Sequence, residues 1–176
     1  IHAAAHLRDL GHVPHVVIVG PIFDRQRGYH RRLMALAREL GLDRVHFMGS
    51  RADVRSVLAR VEVYACSSIA ESSPSSVWEA MAMARPVVST DVGDVSRHVE
   101  DGKNGVVVPV GDPAAMADRI ARLLEDAQLR SHMGDAARMA ALPFSPQRIA
   151  DTTLAFYKVV VSTHARQAPS VPDAST

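Results

Sequence analysis

Short β-branched runs alternate with longer amphipathic segments along most of this chain, and that alternation restricts its fold more than any other feature. An opening segment with Ala3, Ala4, Leu7 and Leu10 at helical spacing is stopped by Gly11, and His15-Val-Val-Ile-Val-Gly20 then reads as a buried strand. Residues 24–40 form a helix in which Leu33, Leu36, Ala37 and Leu40 share one face; Arg25, Arg27, Arg31, Arg32 and Arg38 lie mostly outside it, and Gly41 ends it. Arg44-Val-His-Phe-Met48 is a second strand, Gly49-Ser-Arg-Ala-Asp53 a loop, and a short helix follows through Val57 and Leu58. Val61-Glu-Val-Tyr-Ala-Cys66, Pro86-Val-Val-Ser-Thr90 and Val106-Val-Val-Pro109 continue the series, separated by a helix over 75–84, a short helix near 95–99 and the turn Asp101-Gly-Lys-Asn-Gly105. Strands separated by helices pair through crossovers, so the pattern predicts an α/β fold: a Rossmann-like open parallel sheet with helices on both faces.

Helices dominate from Asp112-Pro113, an N-cap and first-turn pair, to about residue 163, with Gly134 interrupting the run and Pro143 and Pro146 setting off the last helix. The expected organisation is one domain over 1–163 and a disordered tail over 164–176, rich in Pro, Ser and Ala. Because the chain opens on Ile1 and enters a helix at once, it reads as a fragment cut inside a larger protein.

Composition narrows the function classes. Of 176 residues, 47% are hydrophobic and 22% charged, enough for one core. A net charge of +1 is too balanced for a general nucleic-acid or membrane-surface binder. Cys66 is the only cysteine, which excludes an intrachain disulfide and a cysteine-based zinc site and leaves a buried structural thiol. With no apolar run near the ~20 residues that span a bilayer and no signal peptide, a cytoplasmic protein is expected.

The candidate chemistry lies in Glu71-Ser-Ser-Pro-Ser-Ser-Val-Trp-Glu79: a carboxylate on a loop, a turn, and a second carboxylate one turn into a helix. The first helical turn leaves backbone N–H groups unpaired at the positive end of the macrodipole, so the unit can hold an anion between two hydroxyl-seeking carboxylates. A nucleotide sugar, with hydroxyls on either side of a diphosphate, fits that chemistry. A structural reading competes: Ser76-Val-Trp-Glu79 and Ser68-Ile-Ala-Glu71 both have the spacing of a capping box. The segment follows a predicted strand, and open parallel sheets bind ligands outside the carboxyl ends of their strands, where residues 20–24, 48–53 and 91–94 also lie.

Taken together, Val45-His-Phe-Met-Gly49, Val61-Glu-Val-Tyr-Ala-Cys-Ser67, the Glu71 and Glu79 pair with Ala80-Met-Ala, Pro86-Val-Val-Ser-Thr, Val92-Gly-Asp and Asp101-Gly-Lys-Asn-Gly-Val-Val-Val-Pro-Val-Gly-Asp112 resemble the carboxyl-terminal, donor-binding domain of retaining GT-B glycosyltransferases of the GT4 type, over about residues 15–140. The resemblance implies transfer of a sugar from a nucleoside diphosphate sugar to a hydroxyl with retention and without an essential metal, the leaving diphosphate being held by basic groups and helix N-termini. It assigns Glu79 to the ribose hydroxyls and Glu71, as the catalytic-side carboxylate, to the transferred sugar. Backbone N–H groups of Ser72, Ser73, Ser75, Ser76 and Val77 face diphosphate and sugar, Pro74 having none to give. The base is placed near Met48, Gly49, Ser50 and Arg51, with Gly20 among the donor-binding residues. A basic phosphate clamp on a first strand, and a whole acceptor domain, would lie before Ile1, so the chain alone is expected to be inactive; any peripheral membrane association would come through that absent domain.

Two departures from the family pattern stand out. Ser72-Ser73-Pro74 replaces a frequent Gly-Phe-Gly, and Arg85 stands where glycine is common, at a cost of about 1 kcal/mol if that position needs a positive φ. Arg25 to Arg38 are read as a solvated face rather than a phosphate site, Trp78 as a packing residue, Asp91-Val-Gly-Asp94 as a polar turn rather than a metal motif, and the pairs His2 with His6 and His12 with His15 as lacking a third metal ligand. Two other functions use the same features: a GT-B-like sugar-nucleotide epimerase, and a non-catalytic Rossmann-like interaction module in which the glutamates only cap.

Overall fold

The valine-rich runs pair in parallel, as their spacing requires. The structure, a computed structural model, describes residues 1–167. Strand β1 (Val16–Val19) pairs with β2 (Val45–Gly49), Val16 opposite Val45 and Ile18 opposite Phe47, with a register shift that brings Val19 to Gly49. Strands β3 (Tyr64–Cys66), β4 (Val87–Thr90) and β5 (Val106–Val108) form a second parallel ladder with β4 at its centre.

Hydrogen bonding thus divides the strands into two ladders where the sequence suggested one continuous sheet. The doubly wound order 3-2-1-4-5-6 accommodates this when β1 to β5 take positions two to six. Position one then falls between β1 and β3.

Helices flank the ladders: α1 (His2–Asp9), α2 (Arg27–Glu39, entered by a 3-10 turn Asp24–Gln26), α3 (Val54–Leu58), α4 (Ser75–Ala82), α5 (Val95–His98), α6 (Pro113–Glu125) and α7 (Ala127–Ala141). All four residues of β4 are buried, as befits a central strand covered on both faces. Val88, Val106 and Val108 pack with Met116 and Leu123 of α6 and Met133 of α7, and Leu7 seats α1 against Ala117 and Ala121. Arg8 ties α1 to the Leu40 carbonyl at the end of α2. Asp112 caps α6 by accepting the Ala115 N–H at 2.9 Å, with Pro113 in the first turn.

Gly134 does not interrupt the helical run as expected. Helix α7 passes straight through it, and the break falls at Asp126, whose side chain accepts the Leu129 N–H at 2.9 Å. The glycine serves close packing instead: an added Cβ would lie 2.4 Å from the Ala84 carbonyl oxygen. The positive φ on which a cost at Arg85 depended is not found there. Ala84 is the residue with positive φ, 55°. Arg85 instead donates from its guanidinium to the carbonyls of Met83 and Val61, both at 3.0 Å. Replacing Ala84 with glycine is expected to raise stability by about 1 kcal/mol, read as a higher urea midpoint at unchanged m-value.

The chain divides into two compact units, Ile1–Ala141 and a second beginning at Leu142, so the first ends before the 1–163 extent read from the sequence. The second holds a 3-10 turn (Leu142–Phe144) and α8 (Pro146–Gln167). Residues 164–167, expected in the tail, are helical; the remainder of that expected disordered tail lies outside the described residues. No helix among the described residues is long and apolar enough to cross a membrane.

Candidate functional site

Strand β3 delivers the chain to a loop over residues 67–74, and that loop is fastened by side chains rather than by regular structure. Buried Thr90, at the end of the neighbouring β4, donates its hydroxyl to the Ser68 carbonyl at 2.6 Å. Ser68 donates to Oε1 of Glu71 at 2.9 Å, orienting the first carboxylate, and the Trp78 indole N–H donates to Oγ of Ser73 at 3.1 Å. No helix begins near Ser68, so the Ser68 and Glu71 pair is a direct side-chain bond, not a capping box.

The second capping box is absent too. Helix α4 starts at Ser75 with Pro74 in the N-cap position, φ −74° and ψ 94°, and without a side-chain cap. Ser76 therefore lies inside the first turn, and the carboxylate of Glu79 projects exposed to solvent with no cap to serve. Among the described residues, the amides of Ser72, Ser73, Ser75 and Ser76 donate to no protein acceptor. Val77 is a correction: its N–H is already given to the Pro74 carbonyl at 2.9 Å and its side chain is wholly buried, so it anchors α4 and offers no donor.

Tyr64, which the sequence reading passed over, is half-buried on β3 and feels both carboxylates. Burial raises the pKa of its hydroxyl, the charges at Cys66, Glu79 and Glu71 add to the rise, and a hydrogen bond with Ser76 works against it. A signal was available: Tyr64 and Cys66 are two apart on β3 and so share a face of the strand that leads into the glutamate loop.

The other expected donor residues gather at the end of the first ladder. Gly20 donates its N–H to the Gly49 carbonyl at 3.0 Å, joining the ends of β1 and β2, with Met48 and Ser50 exposed beside them. Arg51 is committed to Asp53 through two bonds of 2.8 Å, which hold the Asp53 carboxyl below its ordinary pKa. A hollow of about 190 Å³ opens here between Ile18, Pro21, Tyr29, His30, Phe47 and Gly49. The Nε2 of His30 is buried there without a hydrogen-bond partner, its ring set edge-on to Phe47, a feature hidden in the sequence by the arginine-rich helix that carries it. The structure thus sorts the expected site residues into two groups, Gly20 with 48–50 and 71–79, at the carboxyl ends of separate ladders.

The expectations for the arginine face, Trp78 and Cys66 are met. Arg25, Arg27, Arg31, Arg32 and Arg38 are exposed, Trp78 is buried, and Cys66 is a buried free thiol. His12 faces Glu125 at 3.0 Å and His15 stacks on His46 across β1 and β2. No cluster of three metal-ligating side chains occurs among the described residues.

Comparison with known proteins identifies the family. Residues 1–126 match the family model "Glycosyl transferases group 1". The chain is 36% identical over 110 residues to the D-inositol 3-phosphate glycosyltransferase of Paenarthrobacter aurescens (strain TC1), covering 62% of this chain and 27% of that protein. It is 34% identical over 124 residues to the lipopolysaccharide core biosynthesis glycosyltransferase LpsE of Rhizobium meliloti (strain 1021), covering 69% and 36%. Among solved structures, Anabaena Alr3699/HepE in complex with UDP and glucose superposes with a TM-score of 0.75 at 27% identity, covering 86% of this chain and 44% of that one. The chain spans less than half the length of each of these relatives. It belongs to the group 1 glycosyl transferase family, and its parallel ladders and helices are those of a GT-B glycosyltransferase.

Proposed function

We propose that this chain is the donor-binding half of a retaining glycosyltransferase that takes a sugar from a nucleoside diphosphate sugar and passes it to a hydroxyl acceptor. The observation that carries the reading is the state of the 71–79 segment: four amides without protein acceptors between two carboxylates, the second exposed and serving no cap. In this reading Glu79 accepts hydrogen bonds from the ribose hydroxyls. The amides of Ser72, Ser73, Ser75 and Ser76 receive the diphosphate and sugar oxygens, aided by the positive end of α4. Glu71, oriented by Ser68, faces the sugar, and the base lies toward Gly20, Met48, Gly49 and Ser50. The transfer breaks the bond from the anomeric carbon to the diphosphate and forms one to the acceptor oxygen on the same face, the acceptor hydroxyl's proton leaving with the diphosphate. Charge on the departing diphosphate is met by N–H dipoles and by basic groups outside this chain, without an essential metal.

The Anabaena protein was captured with UDP and glucose, which makes UDP and UDP-glucose the first probes. Glu71→Gln is expected to leave UDP affinity within about twofold while lowering UDP-glucose affinity about tenfold, the loss of one charge-assisted bond to the sugar. Calorimetric titration of both ligands checks this, and equal loss for the two would remove Glu71 from the sugar.

A further inference from the structure

Two of the contacts on the 67–74 loop come from the same place, the end of β4 and the turn that follows it. Thr90 supplies the first through its hydroxyl, 2.6 Å from the Ser68 carbonyl and 3.4 Å from that of Cys66. The second is steric. Gly93 has φ +58°, and a Cβ built on it would lie 2.3 Å from the carbonyl oxygen of Ser72, 2.7 Å from its carbonyl carbon and 3.0 Å from the carbonyl oxygen of Glu71. These are backbone atoms, so no rotamer change relieves the overlap; a side chain at 93 must push the loop itself. On the other side the loop is held by the Trp78 indole at Ser73 and by the bond from Ser68 to Glu71.

We propose that Thr90 and Gly93 are positioning residues that brace the Glu71–Ser73 backbone, so that the polar turn after β4 sets the placement of the donor's sugar and diphosphate. The proposal rests on the donor-binding reading above. Neither residue touches the donor. Thr90 fixes where the loop leaves β3, and the bare Cα of Gly93 fixes how far the loop settles onto the turn. The amides of Ser72 and Ser73 and the Glu71 carboxylate then reach the ligand at one height. A displacement of this kind costs about tenfold or more when the ligand needs several simultaneous hydrogen bonds.

The test compares Gly93→Ala, Thr90→Val and Thr90→Ser with the unaltered protein, using the amide resonances of Ser72 and Ser73 and the dissociation constants for UDP and UDP-glucose. Gly93→Ala and Thr90→Val should shift both resonances and weaken UDP-glucose about tenfold more than UDP. Thr90→Ser keeps the hydroxyl and should restore both readouts. Thr90→Val exchanges the hydroxyl for a methyl at the same heavy-atom count and leaves the left-handed turn at Gly93 unstrained, so it carries the test should Gly93→Ala not fold. Folded variants with unshifted Ser72 and Ser73 resonances overturn the brace whatever the ligand does. Failure of the unaltered protein to bind UDP-glucose overturns the donor reading and the role assigned to the brace, and is told apart by resonance shifts that persist in the variants.

Discussion

Glu79→Gln is expected to weaken binding of a nucleoside diphosphate sugar by several-fold to about a hundredfold while leaving stability within about 0.5 kcal/mol. A carboxylate that accepts from two ribose hydroxyls makes charge-assisted bonds, and the amide that replaces it keeps the shape but loses the charge, and with it part of ~1.5 to 3 kcal/mol. For stability, the relevant fact is negative: α4 begins at Ser75 without a side-chain cap, and Glu79 is exposed. Had the glutamate closed a capping box, truncation to alanine would cost about 1 kcal/mol. With no box formed, Glu79→Ala should be as mild for stability as Glu79→Gln and more harmful for binding. Titration of both variants, alongside urea denaturation, separates the effects; unchanged affinity with lowered stability contradicts the ribose assignment.

Gly134→Ala should destabilise the protein by about 2 kcal/mol, although a glycine inside a solvated helix normally gains about 1 kcal/mol from the same change. The new methyl would meet the Ala84 carbonyl oxygen at 2.4 Å and Cδ of Pro86 at 3.7 Å. Ala84 already sits at φ 55° and so has little room to retreat. Backbone must therefore move, and the backbone concerned closes α4, the helix that carries Glu79. Weaker donor binding is expected to accompany the lost stability. A Gly134→Ala variant with an unchanged or raised denaturation midpoint would show that α7 and the 84–86 corner separate easily.

The elements were legible because their signals are local. Valine runs bounded by Gly11, Gly20, Gly41 and Pro86, and the Asp112-Pro113 start of α6, locate strands and helices by turn chemistry and periodicity alone. Gly134 and Arg85 were judged by what they do to their own backbone, whereas what matters is non-local: Gly134 lets α7 approach the Ala84 carbonyl, and the Arg85 guanidinium reaches the Val61 carbonyl. At the site, the spacing of Glu71 and Glu79 was visible, but which readings it allowed depended on where α4 starts. A two-residue difference, Pro74 rather than Ser76 in the N-cap position, separates a capping box from an exposed carboxylate. Tyr64, Thr90 and His30 escaped notice because their neighbours come from other elements.

The central claim is that the segment from Glu71 to Glu79 receives a nucleoside diphosphate sugar, and amide chemical-shift mapping of the chain during a UDP-glucose titration tests it most directly. The account predicts saturable shifts concentrated at Ser72, Ser73, Ser75 and Ser76, a second set at Gly49 and Ser50, and little change at Val77, whose N–H is already bonded to Pro74. Shifts confined to other parts of the chain, with the four serine amides unmoved at saturation, would contradict it.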